Sequence, residues 1–259
     1  MKQLTTLVVA TAMLCTGSTV AWADNTTSDN ADFLFMGQVR STTLSPEIKK
    51  RWFKARFVEG RSYYLYAWAP YTDPSESSVN LQGSGFADDG FSLGPNTLLS
   101  EPHLFLHGHR GAQKVYLPGG SGTVRLSVDW FQQTPTATFT VHVLLVETTL
   151  FSPWWYTSVD DGYEGFVEIK NNTDIQRRVY LTAYSGDGTV VGQTSTVILA
   201  NGNTVVGLKA HFTLTGDQSG SVQLAHDGAQ GAISANITTL SATTGLSFDS
   251  PFTTRQSPL

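Results

Sequence analysis

Apolar residues in this chain recur in short runs of period two, and clusters of Gly, Pro, Asn and Asp separate the runs. The cleanest case is 123–130, where Val124, Leu126, Val128 and Trp130 alternate with Thr123, Arg125, Ser127 and Asp129. A strand sends successive side chains to opposite faces, so this alternation predicts a half-buried strand. The same pattern puts Val167 and Ile169 on one face of 165–170, and Val179, Leu181 and Ala183 on one face of 178–184. Further strands are predicted over 62–69, 81–86, 102–107, 114–117, 138–146, 190–195, 196–199, 204–208, 221–226 and 232–238. Turn chemistry lies between them, as in Pro118-Gly119-Gly120-Ser121-Gly122, Ser185-Gly186-Asp187-Gly188 and Ala200-Asn201-Gly202-Asn203, and over 108–111 and 215–220. Residues 44–57 admit a helix opened by Pro46 or a strand. The strand over 52–58 is preferred, with Phe53, Ala55 and Phe57 on one face and a short helical turn over 46–50 before it. No stretch of a dozen residues carries the 3.6-residue period of a helix. The expected fold is therefore all-β: two consecutive antiparallel β-sandwich domains, Ig-like or jelly-roll-like.

The first residues follow a different rule. Lys2 gives a positive start, 4–15 (LTTLVVATAMLC) is apolar, and Ala21-Trp22-Ala23 is a small-x-small site. This is the layout of a secretory signal peptide over 1–23, and its apolar core is shorter than the roughly 20 residues of a membrane span. No later stretch is apolar for long enough to span as a helix. Residues 24–31 (DNTTSDNA) are expected to be a flexible tail, 32–148 the first sandwich and 149–259 the second. Pro153 with Trp154 and Trp155 suggests a rigid junction just past the boundary. Cys15 is the single cysteine, so cleavage would leave a chain with no disulfide and no thiol nucleophile. The expected location is exported: periplasmic, cell-surface or extracellular.

Composition narrows the partners. Of 259 residues only 14% are charged, against roughly 25% in ordinary soluble domains. The 14 Phe, 9 Tyr and 6 Trp are far more than a disordered chain carries. A net charge of −5 offers no basic footprint for a nucleic acid.

Five stretches of the second half resemble an uncharacterised domain family of bacterial secreted proteins: Phe151-Ser152-Pro153-Trp154-Trp155, Glu168-Ile169-Lys170-Asn171-Asn172-Thr173, Gly188-Thr189-Val190-Val191-Gly192, the run from His226-Asp227-Gly228 to Ala232-Ile233, and Ser247-Phe248-Asp249-Ser250-Pro251-Phe252. Ala229-Gln230 departs from that family's Gly-Pro. The resemblance implies a β-architecture and an exported compartment, and no activity. In the first half, Trp52-Phe53-Lys54-Ala55, Val58-Glu59-Gly60-Arg61-Ser62-Tyr63, 122–128 and 139–143 look like the pre-peptidase C-terminal type of β-sandwich. That likeness implies an accessory or binding module and carries no catalytic residue.

Candidate chemistry is sparse. His103, His107 and His109 form the densest group of metal-capable side chains. His103 and His107 share a strand face but lie about 13 Å apart, too far for two Zn–N bonds of about 2.1 Å. His107 and His109, at about 6.6 Å, remain the candidate metal pair, with a hydrogen-bonded histidine strand as the plainer reading. Ala87-Asp88-Asp89-Gly90 and Val159-Asp160-Asp161-Gly162 suit either Ca²⁺ or an ordinary turn. His226 suits a general base or a turn-fixing imidazole. Gly119-Gly120-Ser121-Gly122-Thr123 lacks the closing glycine of a serine nucleophile elbow. No cofactor is implied. The aromatics are the sharper signal: Tyr64, Tyr66 and Trp68 alternate along one strand with rungs of about 6.6 Å, and Trp154 and Trp155 stand together. Exposed, such rings stack sugars or anchor a protein. The expectation is a non-catalytic binding, adhesion or accessory module for a carbohydrate or protein partner. A secreted hydrolase with a dispersed site and a structural envelope component are the alternatives, and the sequence indicates no oligomeric state.

Overall fold

The computed structural model describes residues 25–27, 29–70, 79–82, 100–101, 105–106, 109–116, 120–130, 138–158, 160–212, 214 and 216–255. The expected signal peptide, His103, His107 and the Ala87-Asp88-Asp89-Gly90 turn lie outside them. In chain order the first strands are β1 (Asp32–Phe33), β2 (Val39–Leu44), β3 (Lys50–Phe57), β4 (Tyr63–Pro70), β5 (Val79–Gln82), β6 (Ser100–Glu101), β7 (Phe105–Leu106), β8 (His109–Tyr116), β9 (Gly122–Trp130) and β10 (Phe139–Glu147). Then come β11 (Leu150–Thr157), β12 (Tyr163–Asn171), β13 (Arg177–Ser185), β14 (Val190–Ile198), β15 (Asn203–Gly207), helix α1 (Leu208–His211), β16 (Gln218–His226), β17 (Ile233–Ser241), β18 (Ser247–Pro251) and β19 (Thr253–Thr254).

These strands form four sheets: β1-β3-β9-β5; β2-β10-β4-β8-β6 with β7 on β8; β14-β13-β16-β11-β19; and β15-β12-β17-β18. All pairings are antiparallel except β1 with β3. The fold is thus mostly β with one four-residue helix among the described residues.

Alternation places the cores. Phe53, Ala55 and Phe57 of β3 and Val124, Leu126 and Val128 of β9 share one apolar cluster with Tyr63, Leu65 and Ala67 of β4 and Val141, Val143 and Leu145 of β10. A second cluster joins Val179, Leu181 and Ala183 of β13 and Val222 and Leu224 of β16 to Val167 and Ile169 of β12 and Ile237 of β17. Each Val, Leu, Ile or Phe side chain among them contributes about 1.5–3 kcal/mol by leaving water.

Several expectations need correction. Residues 45–49 make no helical turn: Ser45 and Ile48 exchange both backbone hydrogen bonds (3.0 and 3.1 Å), closing a bend that delivers β3. The β2 segment is too polar to announce a strand, yet it pairs with β10 from Val39↔Leu144 to Leu44↔Phe139. β8 begins inside the expected 108–111 turn, and β14 runs unbroken where two strands were expected. Within the expected tail, Asn25 is buried. It donates to the Trp52 carbonyl at 3.2 Å, accepts from Arg51 at 3.0 Å, and its own carbonyl takes the Trp52 N–H at 2.8 Å.

Candidate functional site

The expected rigid junction at Pro153 is a strand. β11 pairs with β16 as Ser152↔Val222 and then Trp155↔Gly220, so one extra residue sits on β11 between these pairs. Proline supplies no ladder donor, and a bulge is where a strand tolerates it. The extra residue shifts the inward phase. Ser152 and Trp155 are buried, and Pro153 and Trp154 are exposed. Trp154 is 40% exposed; Trp155 is fully buried in the second core, its Nε1–H shared between the carbonyls of Tyr184 (3.1 Å) and Ser221 (3.2 Å). Trp155 is therefore a core residue, contrary to its place among the candidate binding rings: no face of it meets water.

A second contact completes the surface. The buried hydroxyls of Ser152 and Ser250 hydrogen-bond at 2.8 Å, tying β11 to β18 across the two sheets. Two residues along from each, Trp154 meets Phe248 with ring centroids 4.5 Å apart. Tyr156 lies parallel to Trp154 at 6.1 Å, and Tyr163 closes the group at 5.5 Å from Tyr156 and 5.9 Å from Phe248. The four rings come from β11, β12 and β18. Trp154 is the exposed ring, and the other three are half-buried behind it. Asp249, next to Phe248, accepts from the Thr238 hydroxyl at 2.8 Å; the two are directly paired across β17 and β18, on the sheet face opposite the one Phe248 shares with Thr239. Sequence reasoning named Trp154 but missed Tyr163 and Phe248. The signal for Phe248 lies in the Ser-Phe-Asp-Ser-Pro motif, which forms strand β18.

The other expected ladder is only partly open. Tyr64 is 1% exposed, Tyr66 and Trp68 are half-buried, and Tyr63, Leu65 and Ala67 form the core row beneath. Tyr64 and Tyr66 pack at 4.7 Å, and Trp68 lies 5.5 Å from the ring of His142, which Ser41 holds at 2.8 Å. Tyr64 is thus excluded as a solvent-facing rung. Of the metal candidates, His109 is the first residue of β8, paired with Pro70 and Leu106, and its expected partner His107 lies outside the described residues. At 160–162 the chain makes a turn: Asp161 N–H donates to Ser158 Oγ (3.1 Å), its carbonyl accepts from Ser241 (2.6 Å), and Gly162 takes φ +66°.

His226 is fixed, not available. It is 1% exposed, and its Nδ1 accepts the Gly228 N–H at 3.1 Å. Burial pushes its pKa down to about 4; the Thr148 backbone pulls upward and Arg177 adds to the depression. Around it runs a polar seam between the two cores. Ser62 Oγ accepts from the His226 N–H (3.2 Å) and from Thr148 Oγ1 (3.0 Å), and Thr149 Oγ1 accepts the Ser62 N–H (2.8 Å). Gln223 donates to the Gly60 carbonyl at 2.7 Å.

On the fourth sheet a groove of about 460 Å³ is lined by Glu168, Lys170, Asn203, Val205, Ser234 and Asn236. It is open and of mixed polarity, and the Lys170 ammonium is engaged by the Asn201 carbonyl. It offers no ring, so the Trp154 surface is the better candidate for recognition.

No protein-family model matches the chain, and no functionally characterised protein matches it in sequence. Among solved structures, a β-glucuronidase of Parabacteroides merdae is similar at 10% identity and a TM-score of 0.20, over 80% of this chain and 29% of that one. The chain therefore spans under a third of that enzyme's length, and a likeness at this TM-score carries neither fold nor activity across.

Proposed function

We propose that this chain is an exported, non-catalytic binding module that docks carbohydrate on the surface formed by Trp154, Tyr156, Tyr163 and Phe248. Its two halves are read as two β-sandwiches, each filled by one of the apolar clusters. The exposed Trp154 ring, held by a bulge and by the rings of Tyr156 and Phe248, carries the reading. An aromatic face meets the C–H face of a sugar at low entropic cost. The absence of catalysis is inferred from His226, whose imidazole is closed off from solvent and committed to a turn. Export rests on the signal-like first 23 residues. Affinity electrophoresis through gels containing soluble polysaccharides tests the reading: the protein is retarded in at least one gel and Trp154→Ala is not. Retardation unchanged by Trp154→Ala removes the surface from the account.

A protein partner is the second reading, favoured by Leu246 at 61% exposure and the exposed Leu240, which flank β18. Pull-down with the protein against Leu246→Glu separates the two.

A further inference from the structure

We infer that β14 is a dimerisation edge, through which two copies of this chain pair antiparallel about a two-fold axis at Ser195. β14 ends the third sheet and among the described residues pairs with β13 alone. Natural proteins blunt such edges with lysine, proline, inward charge or a bulge, because a row of free backbone donors and acceptors accepts any strand. β14 reads Val-Val-Gly-Gln-Thr-Ser-Thr-Val-Ile, with no charge and no proline. Its one irregularity is at the start, where Val191 is extra between Val190↔Tyr184 and Gly192↔Ala183. The regular stretch is then 192–198, centred on Ser195.

The edge suits a second copy of itself. A two-fold axis at Ser195 sets Gly192 opposite Ile198, Gln193 opposite Val197, Thr194 opposite Thr196 and Ser195 opposite Ser195. Every pair is uncharged, so no like charges meet, and β-branched residues recur across the seam. The flanking surface agrees. Tyr180 lies opposite Ser195 on β13, and Tyr180, Val197 and Leu199 are all exposed, Leu199 at 70%. Pairing continues the row as Tyr180, Ser195, then Ser195 and Tyr180 of the second copy, and covers apolar area that the single chain leaves in water. Two five-stranded sheets become one of about ten strands, within the usual range for open sheets.

Sedimentation of the purified protein from micromolar to hundreds of micromolar reads the mass. A dimer is expected, and Ser195→Lys, which sets two like charges at the axis, is expected to sediment as a monomer with unchanged far-UV circular dichroism and a melting temperature that, unlike the wild type's, does not rise with protein concentration. In a Cys15→Ser background, Ser195→Cys is expected to form a disulfide-linked dimer under mild oxidation, because opposed residues have Cα atoms about 4.5–5.5 Å apart. Val190→Cys is the control: it is as accessible to collision, but the axis separates the two copies by roughly 33 Å. A wild-type monomer throughout the range overturns the inference. So does a dimer that survives Ser195→Lys, or a crosslink as strong at Val190 as at Ser195.

Discussion

The Ser62 hydroxyl accepts the backbone N–H of His226 at 3.2 Å, across 164 residues of chain. Both residues are buried, and the same oxygen takes the Thr148 hydroxyl. The turn from β3 into β4 is thereby fastened to the end of β16 and to the β10–β11 passage. An unpaired buried donor costs about 1–3 kcal/mol. Ser62→Ala orphans the His226 N–H and the Thr148 hydroxyl together, so a loss of about 2–4 kcal/mol is expected in urea denaturation. Ser62→Thr, which keeps the oxygen, should recover part of it. A loss under about 0.5 kcal/mol, the scale of an ordinary surface change, contradicts the seam.

His226 makes the seam sensitive to acid. Its imidazole titrates near 6.5 when unfolded and about 4 when folded. Between those values the unfolded chain binds the extra proton, so stability is full above about pH 6.5 and falls as the pH drops toward 4. The complete loss from this one group is about 3 kcal/mol. Burial raises the carboxyl pKa of Glu147 and of Asp227, and these groups act with the opposite sign as pH falls. The comparison is therefore with His226→Asn, which retains an acceptor for Gly228. Melting temperatures from pH 7.5 to 4 should fall more steeply for the wild type than for this variant. Parallel curves contradict the assignment.

The two tryptophans at the bulge should separate stability from surface. Trp155→Ala empties the second core and strands the Tyr184 and Ser221 carbonyls, with an expected cost of about 3–5 kcal/mol. Trp154→Ala loses ring contacts at the surface, and about 1 kcal/mol is expected. Equal costs by chemical denaturation would show that the bulge does not divide the two rings as described.

Gly220 tests the backbone approach behind that bulge. A Cβ there would stand 1.8 Å from the Tyr184 carbonyl oxygen, with the backbone of Ser185 also close. Gly220→Ala must push β16 and β13 apart, at an expected cost of about 1–3 kcal/mol. At Gly188, where φ is +86° and space is open, Gly188→Ala meets only left-handed strain of about 1–2 kcal/mol. Calorimetry on the pair should show a loss of β13–β16 cooperativity in Gly220→Ala alone.

The sequence announced the strands that bury one face and solvate the other. Val124 to Val128, Val167 with Ile169, and Val179 to Ala183 sit where alternation put them because each inner row had a core to enter. It hid the strands whose stability comes from partners. β2 has a polar run and is specified by the β10 backbone; β18 is placed by Ser250 on Ser152. The candidate site was half legible for the same reason. A period-two count from Leu150 cannot foresee that one extra residue will turn Trp154 out and Trp155 in. Nor does spacing along β4 reveal that Tyr64 is covered on the face opposite the core.

The most direct test of the binding reading is quantitative retention on an array of plant, fungal and bacterial-envelope glycans, with the wild type beside Trp154→Ala of matched fold. The account expects a defined set of glycans to hold the wild type and to lose at least about tenfold of their affinity for the variant, the effect of about 1.4 kcal/mol from one stacked ring. Equal retention of the two proteins, or no retention of the wild type at any position, contradicts it.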